Sequence, residues 1–281
     1  MRTVLITGAS SGIGLATSVE LAKRGWNVVA TMRDLEKRGE LERGLQSAGV
    51  SKQVRVEQLD VTDPQSIDRA VAGLDLPNRP LDAVVHNAGV AVGGAFEDLD
   101  DAHIRRVMEV NYFGVLALTR RLLPSFRAQR RGRIVIISSE AAFSGQPANS
   151  PYSASKWAIE GWAEALAYEV EHFNIDIILF EPGAYRTNIW ESSPRVMPKD
   201  SAYLPLLRHL EFAVDAYVAK TARDPQEVAK AVARALDAPR PRFRNAVGPT
   251  AKFAHFARGK LPVSVIRKIF SRFFSLNRVR W

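Results

Sequence analysis

Cysteine is absent from the 281 residues. That excludes disulfides, thiolate nucleophiles and cysteine-ligated metals, and it fits a reducing compartment. Long apolar runs are absent too: no stretch approaches the about 18 residues that a membrane-spanning helix needs. There is no internal repeat and no low-complexity linker. Met1 is followed within three residues by a strand-like run. That leaves no room for a signal peptide and sets the expectation of a cytoplasmic protein.

Acidic residues are missing from one place only. From Arg240 to Trp281 there are eleven Lys or Arg and no Asp or Glu, whereas the preceding chain carries 28 basic against 30 acidic side chains. The net charge of +9 therefore belongs to the tail. No nucleic-acid-binding module accompanies it, and nucleic acid is not an expected partner.

What is present is an alternation. Apolar, strand-like runs occupy 3–7, 27–32, 54–59, 82–86, 133–138 and 175–180. Helical patterns fill 12–24, 66–73, 101–127 and 152–172. Continuous Val/Ile/Leu runs suit parallel strands covered on both faces, so the chain reads as one doubly wound α/β domain. After Pro182 the pattern loosens. Residues 187–220, with Pro194, Pro198 and Pro205 near their start, read as a lid over a substrate site. Asp224-Pro225-Gln226-Glu227 carries the signals of a helix start. Residues 240–281 form a basic C-terminal extension.

"TGASSGIG", residues 7–14, joins the first strand to the first helix. Glycines there let a backbone approach a pyrophosphate at a helix N-terminus. Gly8, Ser10, Ser11, Gly12, Ile13 and Gly14 are the candidate cradle. The spacing is not the common G-x-G-x-x-G, and a plain Gly-Ser turn is the bland alternative. The second strand ends Met32-Arg33-Asp34. Met32 falls where an NAD site carries an acid for the ribose hydroxyl. Arg33 beside it can pair with a 2′-phosphate. The expectation is NADP(H), with Asp34 keeping the NAD(H) reading open. Asp60 and Val61, after the third strand, are candidates for the adenine edge.

"SPYSASK" places Tyr152 and Lys156 one helical turn apart. A neighbouring ammonium favours the phenolate and lowers the phenol pKa, which suits general acid/base work. Ser138 and Ser139 end a strand, where open α/β sheets place their ligands. A hydroxyl there could polarise a carbonyl. Asn87, Ala88 and Gly89 form a small-residue turn after another strand. Asn111 stands inside a helical pattern, where Asn is mildly unfavourable. Pro182, Gly183, Tyr185 and Thr187, in "EPGAYRT", could line a nicotinamide.

Taken in order, these motifs resemble those of the short-chain dehydrogenases/reductases, over residues 3 to about 190. The resemblance implies a Rossmann-type fold and a tetrad of Asn111, Ser139, Tyr152 and Lys156. Tyr152 would be the general acid/base and Ser139 would polarise the carbonyl. Lys156 would bind the nicotinamide ribose and depress the tyrosine pKa, and Asn111 would hold a relay water. Homodimers or homotetramers, paired through the helices of Asn111 and Tyr152, follow from the same resemblance. His86, where many members have Asn, is the departure; it has no partner ligands, and no metal is expected. A weaker likeness to the 17β-hydroxysteroid and retinol dehydrogenase branch implies an apolar substrate of steroid or retinoid kind. Phe143, Tyr185, Trp190, Leu204 and Phe212 are the candidate pocket.

In the tail, Val263, Ile266, Phe270 and Phe273 recur at helical spacing, with Arg267, Lys268 and Arg272 between them. Such a helix over 261–281 can lie on an anionic membrane, cover the substrate mouth or pack on another subunit. The leading expectation is an oxidoreductase acting on carbonyls or secondary alcohols. A nucleotide-sensing binding protein, or an epimerase or dehydratase on the same fold, are the alternatives.

Overall fold

The computed structural model describes residues 1–279, apart from the side chain of Trp190. The expected pocket residue Trp190 and the last two tail residues thus lie outside the described part.

Seven parallel strands form one sheet: β1 (Thr3–Ile6), β2 (Asn27–Met32), β3 (Val54–Gln58), β4 (Ala83–His86), β5 (Gly132–Ile137), β6 (Ile175–Pro182) and β7 (Arg244–Val247). Their order is β3-β2-β1-β4-β5-β6-β7. Leu5 faces Val29 on one side and Val84 on the other. Alternate residues of the apolar runs feed two cores. Val4 and Ile6 pack with Leu21, Val228 and Val232 on one face; Leu5 packs with Leu118, Phe126 and Ile159 on the other. This is why the strands show no polar alternation. Strand order reverses between β1 and β4, which places a ligand crevice at their carboxyl ends.

The helices are α1 (Gly12–Lys23), α2 (Gly39–Ser47), α3 (Pro64–Ala72), α4 (Asp101–Met108), α5 (Gly114–Gln129), α6 (Ser150–Val170), α7 (Ile189–Ser192), α8 (Leu204–Thr221), α9 (Gln226–Asp237), α10 (Pro249–Lys260) and α11 (Val263–Phe273). The six expected strands agree within two residues. The single helix expected over 101–127 is instead α4 and α5, joined by a π-turn over Glu109–Phe113. Helix α2 and the short edge strand β7 carry too little apolar pattern to be read from sequence. Asp224 accepts from the Gln226 N–H at 2.9 Å, as its position before α9 implied.

The segment after β6 is tied to the body. Gly93 donates to the Pro194 carbonyl at 2.9 Å and accepts from the Val196 N–H at 2.8 Å. Arg195 pairs with Glu211 and Asp215 on α8. The tail also folds back. Phe143 meets His255 of α10 edge-on, Arg258 lies over the Trp157 ring, and Tyr217 of α8 meets Phe273 of α11. The tail thus packs on Phe143, Trp157 and Tyr217 of its own chain. The expected apolar stripe divides: Ile266 is buried, while Val263 and Phe273 are 54% and 56% exposed.

Candidate active site

β1 ends at Ile6, and the chain turns through Gly8 (φ +68°) and Gly12 (φ +56°), both in the left-handed region that a Cβ would strain. At Gly14 the constraint is contact: a Cβ would stand 2.2 Å from the Gly8 carbonyl oxygen and 2.4 Å from Asn87 Nδ2. Ser10, Ser11 and Ile13 stay partly exposed along this turn. No side chain caps α1, and its first turn holds no acid. Its free N–H groups and the helix dipole therefore suit an anion at this end. On that observation the loop fits a dinucleotide pyrophosphate.

The loop is braced from β4. Asn87 Nδ2 donates to the Thr7 and Gly8 carbonyls at 3.0 and 2.9 Å. The N–H groups of Asn87 and Ala88 both donate to Thr7 Oγ1 at 3.0 Å. The Asn87 side chain thus shapes the cradle. Thr7 is a site residue that sequence reasoning left out; the Thr before the first glycine was the available signal. Thr187 closes the other side, since a Cβ on Gly12 would meet its Cγ2 at 3.0 Å.

At the adenosine end, Met32 is buried. Arg33 is exposed, and its guanidinium makes no hydrogen bond or ion pair among the described residues. Asp34 accepts from the Glu36 N–H at 3.0 Å and so caps its own turn. Asp60 accepts from the Thr62 N–H and hydroxyl at 2.9 and 2.7 Å. Burial works to raise its pKa, but these bonds, with Arg106 and Arg33, hold it below the usual range. Val61 sits against Gly114, where a Cβ would fall 2.8 Å from the Val61 carbonyl oxygen.

The reacting groups converge at the end of β5. Ser139 accepts from the Ala141 N–H at 3.1 Å and hydrogen-bonds the Tyr152 phenol. Ser138, its neighbour, is buried, and its hydroxyl has no hydrogen-bond partner among the described residues. Lys156 is buried; its Nζ donates to the Ile137 carbonyl at 3.0 Å and lies 5.6 Å from the centre of the Tyr152 ring. Burial brings the Lys156 pKa down to about 8. The Tyr152 phenol stands above its ordinary value: burial and the Glu140 charge raise it, and the Ser139 bond pulls the other way. Lys156, expected to depress the phenol pKa, is not among the groups that shift it. The ammonium is aimed at a carbonyl, and Ser139 is the group that favours the phenolate.

Asn111 sits in the π-turn, which accounts for Asn in a helical pattern; such turns recur at functional sites. Its Oδ1 accepts from the Val90 N–H at 2.9 Å. Its Nδ2 donates to the Val90 carbonyl at 2.8 Å and to Ser155 Oγ at 3.0 Å. The two amide donors are thus both engaged within the protein, and the side chain acts as a clamp between Val90 and Ser155. Gly89 lies between, where a Cβ would be 3.5 Å from Asn111 Oδ1 and 3.9 Å from Lys156 Nζ. Val92, Leu99 and Val107 form an apolar wall with Val90, Val196 and the Tyr152 ring.

Pro182 ends β6, and a Cβ on Gly183 would meet Thr250 Oγ1 at 2.4 Å and Glu140 Oε2 at 3.2 Å. Tyr185 does not line the crevice: it is buried in the core with Val228 and Val247. Phe212 is 78% exposed, Leu204 is partly exposed at the start of α8, and Phe143 packs on His255. Of the expected aromatic pocket, Tyr185 thus lies in the core and Phe212 faces solvent, while the Tyr152 ring is met by the aliphatic wall. His86 is buried and neutral, with its pKa pushed down to about 3 by burial, and shares a 2.9 Å hydrogen bond with Thr119. No metal-capable cluster occurs among the described residues.

The family model for short chain dehydrogenases matches residues 2–197. The chain is 40% identical over 238 residues to an uncharacterized oxidoreductase, YusZ, of Bacillus subtilis, covering 81% of this chain and 82% of that one. It is 36% identical over 260 residues to retinol dehydrogenase 8 of Bos taurus (86% and 80%). It is 32% identical over 287 residues to 3-ketodihydrosphingosine reductase of Bacteroides thetaiotaomicron (98% and 99%). Among solved structures, a short-chain dehydrogenase of Streptomyces avermitilis superposes with TM-score 0.80 at 30% identity, over 99% of both chains. A metagenomic short-chain oxidoreductase in complex with NADP gives 0.70 at 26% identity, over 88% and 97%.

Proposed function

The chain belongs to the short-chain dehydrogenase/reductase family of oxidoreductases, and from that premise we propose that it moves hydride between NADP(H) and a carbonyl or secondary alcohol of an apolar substrate. The observation that carries this reading is the meeting of Tyr152, Ser139 and Lys156 beside the glycine loop. The nicotinamide, when bound, supplies the hydride. Gly8, Gly12 and the first turn of α1 would hold its pyrophosphate, Arg33 its 2′-phosphate, and Thr187 and Gly183 would lie at its other end. Ser139 donates a hydrogen bond to the carbonyl oxygen, and Tyr152 gives that oxygen its proton. Burial holds the phenol above its ordinary value, so Tyr152 carries the proton it gives in reduction, and in the reverse reaction it takes that proton back from the alcohol. Lys156, which fixes the end of β5 through Ile137, would hold the ribose side of the cofactor.

The aliphatic wall against Tyr152 supports an apolar substrate of steroid, retinoid or long-chain kind, as do the names of the relatives. Replacing Tyr152 with Phe should nearly abolish carbonyl-dependent NADPH oxidation while leaving NADPH binding intact. Substantial residual turnover would sink the role given to the phenol.

Phe113 and Tyr168, exposed on the elements that carry Asn111 and Tyr152, support a homo-oligomer; light scattering reads its mass. No helix of the described residues is long and apolar enough to cross a membrane. Exposed Phe253, Phe256, Val263 and Phe273 lie in the acid-free tail, which supports peripheral contact with anionic lipid. Co-sedimentation with phosphatidylglycerol vesicles, and not with phosphatidylcholine, is the expected result.

A further inference from the structure

The turn that follows Ser139 is held from outside by an indole. Trp157 comes directly after Lys156 on α6, and its Nε1 donates to the Ala141 carbonyl at 3.0 Å. Ala141 is fully buried, and no other hydrogen bond reaches that carbonyl among the described residues. The N–H of the same peptide unit, that of Ala142, donates to the Ser139 carbonyl at 3.0 Å. The Ala141 N–H donates to Ser139 Oγ at 3.1 Å. Main chain and side chain of Ser139 are thus both fixed by Ala141 and Ala142, and Trp157 fixes those two residues to α6. Tyr152, which hydrogen-bonds Ser139, stands on the same helix. One element therefore carries the phenol and also sets the hydroxyl that it meets.

Trp157 is 40% exposed, so filling the core does not explain an indole at this position. What the indole adds over an aliphatic side chain is a donor on a rigid two-ring arm. The ring is itself held. The Arg258 guanidinium of α10 lies 4.6 Å from the ring centre, within the range of a cation–π contact. The same helix meets the end of the turn a second time, where His255 touches Phe143 edge-on at 4.9 Å between ring centres. We propose that Trp157 is a positioning residue for Ser139, steadied by Arg258, so that the C-terminal helix α10 takes part in aiming the hydroxyl that polarises the substrate carbonyl. This assignment rests on the reading of Ser139 as the donor to that carbonyl.

Two measurements on the full chain test this. The first is reduction of a C12 methyl ketone by NADPH, followed in single turnover so that slow variants stay measurable. Trp157→Phe keeps an aromatic ring and removes the N–H. It should lower the rate about tenfold, the worth of one hydrogen bond to a buried carbonyl, with the half-saturating ketone concentration little changed. Arg258→Ala should lower it about two- to fivefold. Each effect should vanish in a Ser139→Ala background, because residues that act through one group do not add. Equal losses in both backgrounds would show a merely structural role and overturn the proposal. The second measurement is hydrogen exchange over residues 139–143 without substrate. Both variants should speed exchange of the Ala141 and Ala142 amides, Trp157→Phe the more. Unchanged protection in Trp157→Phe overturns the proposal whatever the turnover. If wild type oxidises no NADPH with the ketone yet exchange quickens as expected, the reductase reading fails and the hold on the turn stands. If wild type and Trp157→Phe reduce the ketone equally well, the reverse holds.

Discussion

Asn111 donates through Nδ2 to Ser155 Oγ at 3.0 Å, and Ser155 donates in turn to the Tyr152 carbonyl at 2.7 Å. This joins the π-turn to the first turns of α6 through one fully buried hydroxyl. Ser155→Ala should leave a buried amide donor unpaired, at about 1–3 kcal/mol. The expected outcome is a kcat roughly tenfold lower, with NADPH affinity little changed. Stopped-flow turnover and fluorescence titration check the two halves separately. Loss of cofactor affinity alone would show that Ser155 serves the loop instead.

Two glycines should respond in opposite ways. A Cβ at Gly14 meets a carbonyl oxygen at 2.2 Å, whereas Gly161, inside α6, has no neighbour within 4 Å. Gly14→Ala should abolish NADPH binding and destabilise the fold by at least about 1–3 kcal/mol through overpacking. Gly161→Ala should raise stability by about 0.5–1 kcal/mol. Urea unfolding of the two variants reads the sign directly.

His86 makes stability fall in acid. Its folded pKa is about 3, against roughly 6.5 when unfolded. Below 6.5 the unfolded chain takes up the proton and the folded chain does not. The contribution is fully present above that pH and is lost as pH drops toward 3, at up to about 1.4 kcal/mol per unit. His86→Asn should flatten the urea midpoint between pH 6.5 and pH 4.5. An unchanged slope would place the acid sensitivity elsewhere.

Arg33 should set cofactor choice. It follows the buried Met32, and Asp34 is engaged in capping its own turn. Arg33→Ala should lower kcat/KM for NADPH by about ten- to a hundredfold, the worth of a charge-assisted hydrogen bond pair. The value with NADH should move little. Equal losses with both cofactors would remove the 2′-phosphate assignment.

The strands were legible because each is a continuous apolar run that two covered faces require. The glycine loop and the Tyr152, Lys156 and Ser139 set were legible because local spacing carries their chemistry. The π-turn was not, since a helical pattern over 101–127 does not reveal which hydrogen bonds lengthen around Asn111. Tyr185 and Phe212 were misplaced for a related reason. An aromatic residue looks the same in sequence whether it enters the core, as Tyr185 does, or faces solvent, as Phe212 does.

Sequence alone determined the parallel α/β class and the phosphate-compatible turn, and it singled out Tyr152 and Lys156 as candidate acid/base groups, because those depend on periodicity and on residues within a few positions of one another. Tertiary structure decided how the groups are held. It aimed Lys156 at Ile137, gave Ser139 to Tyr152, and joined Asn111 to Tyr152 through Ser155. It also set Glu140 against Gly183 and folded the basic tail onto α8. Each of these depends on contacts between segments far apart in the chain, where burial and the direction of a hydrogen bond decide which of several chemically suitable partners a side chain meets.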